Sequence, residues 1–424
     1  MKQKLAIIGA GISGLSAAHF LKKRYDVHVF EKDKTAGGLI KCRRVNGSLF
    51  HTCGGHVFNS KKQDVLDWFW SIFDMEKEFS KTERNSVVFM NNATASTCFT
   101  AIPYPIENHV YLFGEEVQKA FIEDLVTIAK QEAVKPRNFE EFLKGRFGET
   151  LYNLYFKPYN EKVWRRDLRN VPLEWLEGKL PMPTVQEMIF NNINHVEEKT
   201  FVHARFWYEN NNGSQFIADK LAEDLNISYS KEIGRVEYHP DIKQWSVENS
   251  LFDKVLFCGN IKDMVEIIEG VDLEQYKKPV EELEYHGTTA VFCEIDANPY
   301  SWIYQPNQDH DSHRIICTGN FCKTNNGLDV KDGRITATIE FTDEVSYDEI
   351  ISNLKRIPLH PVYMDHKYNR FTYPIQNNHT RQMITDIKKI LEPYGFFFSG
   401  RFADWEYYNM DVAIKAAKDT CERL

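Results

Sequence analysis

The chain has 424 residues, 42% of them apolar and 27% charged, with a net charge of −9. That length supports two or three domains and a large core, and the composition is that of a globular chain. Non-specific nucleic-acid binding needs a basic face, which Arg43-Arg44 and Arg165-Arg166 are too short to make, and no apolar run approaches the ~20 residues of a membrane span.

Lys4-Leu5-Ala6-Ile7-Ile8 reads as a buried parallel strand. The start of the chain is basic then apolar, as in a leader peptide, but this run is punctuated by glycines, so no leader is expected. Gly9-x-Gly11-x-x-Gly14 follows, with Ser13 inside it, and Leu15, Ala18, Phe20 and Leu21 then recur at helical spacing. The first glycine permits a tight turn, the second admits a pyrophosphate, and the third lets helix and strand pack closely. Val27-His28-Val29-Phe30 is a second strand, ending in Glu31 and Lys32. Glu31 stands about 20 residues on, where a ribose-binding carboxylate is expected. Strand, glycines, helix, strand and acid together predict a dinucleotide site.

Gly37-Gly38 comes a short loop later. Residues 62–200 read as mostly helical, with helices over 63–73, 115–133, 139–145 and 149–156, broken later by Pro172, Pro181 and Pro183. Residues 213–225 form a further amphipathic helix. Segments 235–238, 244–247 and 254–258 read as strands, the last closing on Gly259-Asn260. Residues 285–375 alternate as an antiparallel sheet does, 396–401 is a final strand, and 411–423 a final helix. The eight cysteines show no C-x-x-C and read as reduced thiols of a cytoplasmic protein. No metal-ligand spacing is visible, so no metal is expected.

Glu31-x5-Gly37-Gly38 after such a unit resembles flavoproteins of the amine oxidase and UDP-galactopyranose mutase superfamily, which implies FAD. Further islands resemble the flavin-dependent UDP-galactopyranose mutases, the fungal-type members most. They are Cys53-Gly54-Gly55-His56-Val57-Phe58, Ile102-Pro103-Tyr104-Pro105-Ile106-Glu107-Asn108, Phe156-Lys157-Pro158-Tyr159-Asn160-Glu161-Lys162-Val163-Trp164, Tyr373-Pro374 and the run from Gly400-Arg401 to Asn409-Met410-Asp411.

The resemblance implies an α/β fold: a Rossmann-type FAD-binding domain with an inserted helical domain and an inserted antiparallel sheet domain. The expected division gives FAD residues 1–60, 205–285 and 385–424, a mainly helical substrate domain over 61–204, and a sheet domain over 286–384. It implies a nucleotide-sugar mutase that interconverts pyranose and furanose forms, active when the FAD is reduced. Flavin N5 would displace the nucleoside diphosphate, and the sugar ring would open and reclose before release.

By the same resemblance, Arg314, Tyr304, Tyr373 and Tyr407 hold the diphosphate, with Tyr104 and Tyr155 on the uracil side. Trp164 and Asn160 line the sugar pocket, and His56 sits beside the flavin. Gly9, Gly11, Ser13, Gly14, Glu31, Lys32, Gly38, Gly55, Val236, Gly259, Arg401, Asn409 and Met410 serve FAD. The chain departs from the family pattern at two places. Lys179 stands where a second diphosphate arginine is expected, which keeps charge but loses the bidentate fork. Phe321 stands where a tyrosine is expected. Arg205 is the candidate to replace the lost arginine.

Expected partners are a nucleotide sugar, UDP-linked by family, a reductant such as NAD(P)H or a reductase, and a second copy in a homo-oligomer. Two other readings compete. A flavin oxidase or desaturase predicts net electron transfer and an apolar channel, because fold alone does not fix function. An inactive FAD-binding protein takes Lys179 and Phe321 as its signature.

Overall fold

A computed structural model of the chain describes residues 2–91, 99–131, 135–173, 183–196 and 205–424. Among these residues, five strands form a parallel sheet in the spatial order Ile227–Ser228, Asp26–Phe30, Lys4–Ile8, Lys254–Phe257, Phe396–Phe398. In chain order that is 3-2-1-4-5, the Rossmann arrangement. The order reverses between Lys4–Ile8 and Lys254–Phe257, and in open α/β sheets the carboxyl ends of the strands at such a reversal are where ligands bind. Gly9 and Gly259 both lie just beyond those ends.

The glycine spacing is sterically enforced. A Cβ on Gly14 would lie 1.9 Å from the Gly9 carbonyl oxygen. Gly9 itself has φ +106°, in the region glycine alone enters readily. The helix Ile12–Leu21 then packs Leu15, Ala18 and Leu21 against Ile414, Ala417 and Cys421 of the helix Met410–Arg423. Residues from both ends of the described chain therefore share one core.

The sheet expected over 285–375 is present. Val362–Pro374, Tyr285–Asp296, Arg334–Thr342, Arg314–Ile316 and Trp302–Tyr304 pair antiparallel in that order. Two more strands extend it: Ser86–Asn91, parallel to Trp302–Tyr304, and Phe99–Pro103. Phe79–Glu83 also forms a strand and pairs with Arg205–Glu209. The mostly helical reading of 62–200 is thus corrected for 79–83, 86–91 and 99–103. Val87, Val88 and Phe89 are a β-branched and aromatic run, too short to show a period of its own, and the rest of the sheet recruits it.

From residue 115 the helical reading holds, in Glu115–Lys130, Phe139–Leu151, Lys157–Trp164 and Val185–Asn194. The separate helix expected over 149–156 is instead the end of Phe139–Leu151, kinked at Gly148, running on through a wide turn at Tyr152–Phe156. Gly148 has φ +85°, and a Cβ there would meet Asp124 at 2.5 Å, so close packing on Glu115–Lys130 sets the kink. Phe121, Leu125, Phe139, Leu143, Phe147 and Leu151 fill the core of this unit.

Candidate active site

A cavity of about 250 Å³ lies where the turn 53–57, the seven-stranded sheet and the segment 401–411 meet. The sheet supplies its cationic wall. Arg314 pairs across the ladder with Tyr304 on one side and Glu340 on the other. Its Nε donates to Glu340 Oε2 at 2.8 Å, and Nη2 donates to the same oxygen. Glu340 is 1% exposed. Burial works against its charge, but Arg314 and His313 hold its carboxyl well below the ordinary range. Burial likewise opposes the Arg314 charge, and Glu340 overrides it. This is a buried ion pair whose cation faces the cavity.

A second guanidinium lines the wall. Arg84 donates through Nη2 to the Tyr304 hydroxyl at 2.9 Å and through Nε to Ser86 Oγ at 2.8 Å. Its head group stands 5.2 Å from the Trp302 ring centroid. Across the cavity, Tyr373 and Tyr407 stack with centroids 5.4 Å apart and planes 9° from parallel. Arg401 lies over Tyr407 at 3.9 Å. Burial, then the neighbouring Tyr407, raises the Tyr373 hydroxyl well above its ordinary pKa, so it stays a donor at neutral pH.

His56 completes the wall at the turn. Burial and then Arg401 pull its imidazole down to about 4, so it is neutral at pH 7. Its Nε2 is buried and meets no hydrogen-bond partner among the described residues, and the same holds for Arg401 Nε. A buried polar atom without a partner is costly, so a cavity occupant is expected to satisfy both.

FAD fits these residues. Gly11 caps the helix Ile12–Leu21 with no side-chain bond, which leaves backbone N–H groups for a diphosphate. Gly38 packs on Gly11, where a Cβ would stand 3.2 Å from the Gly11 Cα. Ser13 is buried beneath Gly400. Glu31 is buried at the end of its strand, and its Oε2 accepts from the Ala10 N–H at 2.7 Å. Gly55, Asn409 and Met410 line the cavity, Asn409 and Met410 at the start of the helix Met410–Arg423. Lys32 is exposed, and Val236 is buried in the sheet it forms with Gln244–Val247 and Ile268–Glu269.

The remaining sequence candidates sit further out. Tyr104 stands 4.9 Å from the Tyr304 ring, and Tyr155 stacks on Tyr159, which meets Tyr304 edge-on at 5.6 Å. These rings form a ladder leading away from the cavity. Trp164 and Asn160 are buried in the helical unit and do not line the cavity, and Asn160 donates to the Phe156 carbonyl at 2.7 Å. Arg205 points to the surface and pairs with Glu83 at 3.3 Å, so the structure does not bring it to the cavity. Lys179 lies outside the described residues. Phe321 is buried among Phe206, Tyr208 and Trp302.

Sequence reasoning missed Arg84, Glu340 and Trp302. Arg84 falls in a segment read as helical, where nothing marks it. Glu340 carried a usable signal, since a carboxylate inside the apolar strand Arg334–Thr342 needs a buried partner.

The buried histidines predict acid sensitivity of the ligand-free protein. His56 and His51 have folded values of about 4 and about 3, against ~6.5 when unfolded. Their neutral forms support folding fully above pH 6.5, and that support is lost as pH falls through 4, because the unfolded chain then binds protons the folded one refuses. For His56 alone the loss is about 3 kcal/mol. Melting followed by circular dichroism should fall steadily from pH 6.5 to 4, and His56→Asn should flatten that slope by close to one proton. An unchanged slope in the variant would show that His56 is not the buried neutral group described.

Comparison with known proteins agrees with this architecture. A family model described as an NAD(P)-binding Rossmann-like domain matches residues 7–73. The dTDP-fucopyranose mutase of Escherichia coli is 22% identical over 99% of this chain and 98% of its own length. The UDP-galactopyranose mutase of Mycoplasma genitalium is 20% identical over 99% of this chain and 94% of its own. Both are bacterial, so closeness to fungal-type members stays an expectation from the motifs. A crystal structure of reduced UDP-galactopyranose mutase superposes with a TM-score of 0.84, at 21% identity, over 99% of this chain and 95% of that one. In sequence and in fold alike, the chain is similar over nearly its whole length to UDP-galactopyranose and dTDP-fucopyranose mutases.

Proposed function

We propose that the protein is an FAD-dependent mutase interconverting pyranose and furanose forms of a nucleotide sugar. The observation that carries this reading is the convergence of Arg314 and Arg84 with the hydroxyls of Tyr304, Tyr373 and Tyr407 on one cavity beside His56. A diphosphate leaving group needs charge-assisted donors in a site shielded from water, and these groups supply them. When bound and reduced, FAD supplies the nucleophile that displaces the diphosphate from the anomeric carbon. Arg314 holds one phosphate through the face Glu340 leaves open. Arg84 and Tyr304 hold the other, in the role expected of Lys179. His56, neutral, offers one hydrogen bond to the flavin side and moves no net charge. Tyr104 and Tyr159 are the proposed platform for a pyrimidine base, with Tyr155 buried behind them in the helical core.

The oxidase reading predicts an apolar channel, whereas this wall is cationic and rich in hydroxyls. We further propose the domain division expected from sequence, with Ser86–Asn91 and Phe99–Pro103 reassigned to the sheet domain, a cytoplasmic enzyme reduced by NAD(P)H or a reductase, and a homo-oligomer. Among the described residues no helix is long and apolar enough to cross a membrane.

The test is anaerobic incubation of the FAD-loaded protein with UDP-galactofuranose and, separately, dTDP-fucofuranose, with and without dithionite, resolved by HPLC. Conversion to the pyranose only after reduction is the expected result, and the better substrate names the nucleotide. No conversion of either, together with no flavin response to UDP or dTDP, would sink the reading. Within it, Arg84→Gln should raise the Kd for UDP about 10-fold, the worth of one charge-assisted bond, and lower kcat less. Calorimetry with UDP checks this, and an unchanged Kd would remove Arg84 from the diphosphate site.

A further inference from the structure

Glu340 occupies an unusual position for a buried carboxylate. One oxygen, Oε2, accepts both Nε and Nη2 of Arg314, while His313 Nε2 stands 3.7 Å away. The other, Oε1, accepts the backbone N–H of Gly54 at 2.9 Å. Gly54 begins the turn that carries His56. It has φ +64°, and a Cβ on it would stand 3.3 Å from His56 Nε2. The far side of that turn is also fixed, because His56 N donates to His51 Nδ1 at 3.3 Å and His51 Nε2 meets the Tyr208 hydroxyl at 2.8 Å.

We infer that Glu340 is a positioning residue that fixes Arg314 relative to the turn 54–56, so that the anion site and the flavin side of the cavity keep one spacing. This rests on the mutase reading and deepens it. The geometry gives the reason. Arg314 and Gly54 lie on separate segments, far apart in sequence, and a single carboxylate bridges them through opposite oxygens. Ion pairing alone would use both oxygens on the arginine fork, the usual bidentate arrangement. Here one oxygen is diverted to a backbone N–H. The strand Arg334–Thr342 that carries Glu340 is buried along most of its length and paired on both sides, so the bridge stands on a rigid support. Displacement of a bound group by about 1 Å can cost 10²-fold in rate.

The test uses the FAD-loaded holoenzyme and three measurements: the UDP isotherm by calorimetry, the UDP-induced change in flavin absorbance, and kcat and KM per bound flavin. Glu340→Gln keeps the shape but places an amide group against either Arg314 or Gly54, so one arm of the bridge fails. UDP affinity should stay within about threefold while kcat falls about 100-fold. The flavin response to bound UDP should be lost or altered. Glu340→Asp keeps the charge but is one methylene too short to span both arms, and should lower kcat about 10-fold with UDP still bound. The inference is overturned if kcat per flavin and the spectral response match wild type in both variants. It is equally overturned if only flavin content and melting temperature fall, since that is the signature of a stability role. Wild-type protein that neither turns over nor responds to UDP would instead defeat the mutase reading itself, and this inference with it.

Discussion

Arg314→Ala is expected to lower kcat/KM for the nucleotide sugar by about 10³-fold or more. Two charge-assisted bonds to a phosphate contribute roughly 1.5–3 kcal/mol each, and every 1.4 kcal/mol is tenfold. The same change leaves Glu340 buried without its cation, which costs about 3–5 kcal/mol of stability. Activity loss alone therefore does not separate binding from folding. The double variant Arg314→Leu, Glu340→Leu does, because an apolar pair of similar bulk often restores the stability that one orphaned charge removes. It should melt within a few degrees of wild type and still bind no UDP by calorimetry. A double variant that melts normally and binds UDP within threefold of wild type would remove Arg314 from the anion site. Arg314→Lys should fall between the extremes, keeping charge without the fork.

Gly14→Ala should abolish flavin retention. The added Cβ would stand 1.9 Å from the Gly9 carbonyl oxygen, a distance no packing tolerates, so the turn and helix must separate. The expected cost exceeds about 3 kcal/mol, in the range of severe backbone strain and core disruption. The readout is the ratio of 450 nm to 280 nm absorbance in the purified protein, alongside its melting temperature. Gly145→Ala is the matched control. Gly145 lies within the helix Phe139–Leu151, and a Cβ there would meet nothing within 4 Å. That change should be neutral or stabilise by about 0.5–1 kcal/mol. A Gly14→Ala protein that purifies fully yellow would mean that FAD does not use this turn.

The nucleotide-binding half was legible in the sequence because its constraints are local. Gly9, Gly11, Gly14 and Glu31 fall within one strand–helix–strand unit, and their spacing states the geometry. The cavity was legible in part. Arg314, Tyr304, Tyr373, Tyr407, Arg401 and His56 all line it; the motif islands contain the last four, and the family resemblance named Arg314 and Tyr304. Arg84 was not legible, because its place depends on Ser86–Asn91 joining a sheet whose other strands come some 200 residues later. Glu340 was missed for a related reason. A buried carboxylate declares that a partner exists but not which one, and Arg314 becomes its neighbour only through strand register. Trp164 is placed differently. Its island is specific, yet its indole is packed in the helical core at 6% exposure rather than on the cavity. Motif order identified the segment without fixing which side chains face inward.

The parallel sheet begins at Lys4–Ile8 and takes its last described strand from Phe396–Phe398, while Met410–Arg423 covers the first helix. The consequence concerns timing during synthesis. On the ribosome the glycine turn is made some 380 residues before the strand Phe396–Phe398 and the helix that complete that layer, a lag of roughly 20–80 s at about 5–20 residues per second. Until then the edge of Lys254–Phe257 has no neighbour on one side, and the surface of Ile12–Leu21 stays uncovered. Long-range closure of this kind is slow. Cofactor capture thus waits on Phe396–Phe398 and Met410–Arg423, and a fragment ending before residue 390 should stay colourless however much FAD is supplied.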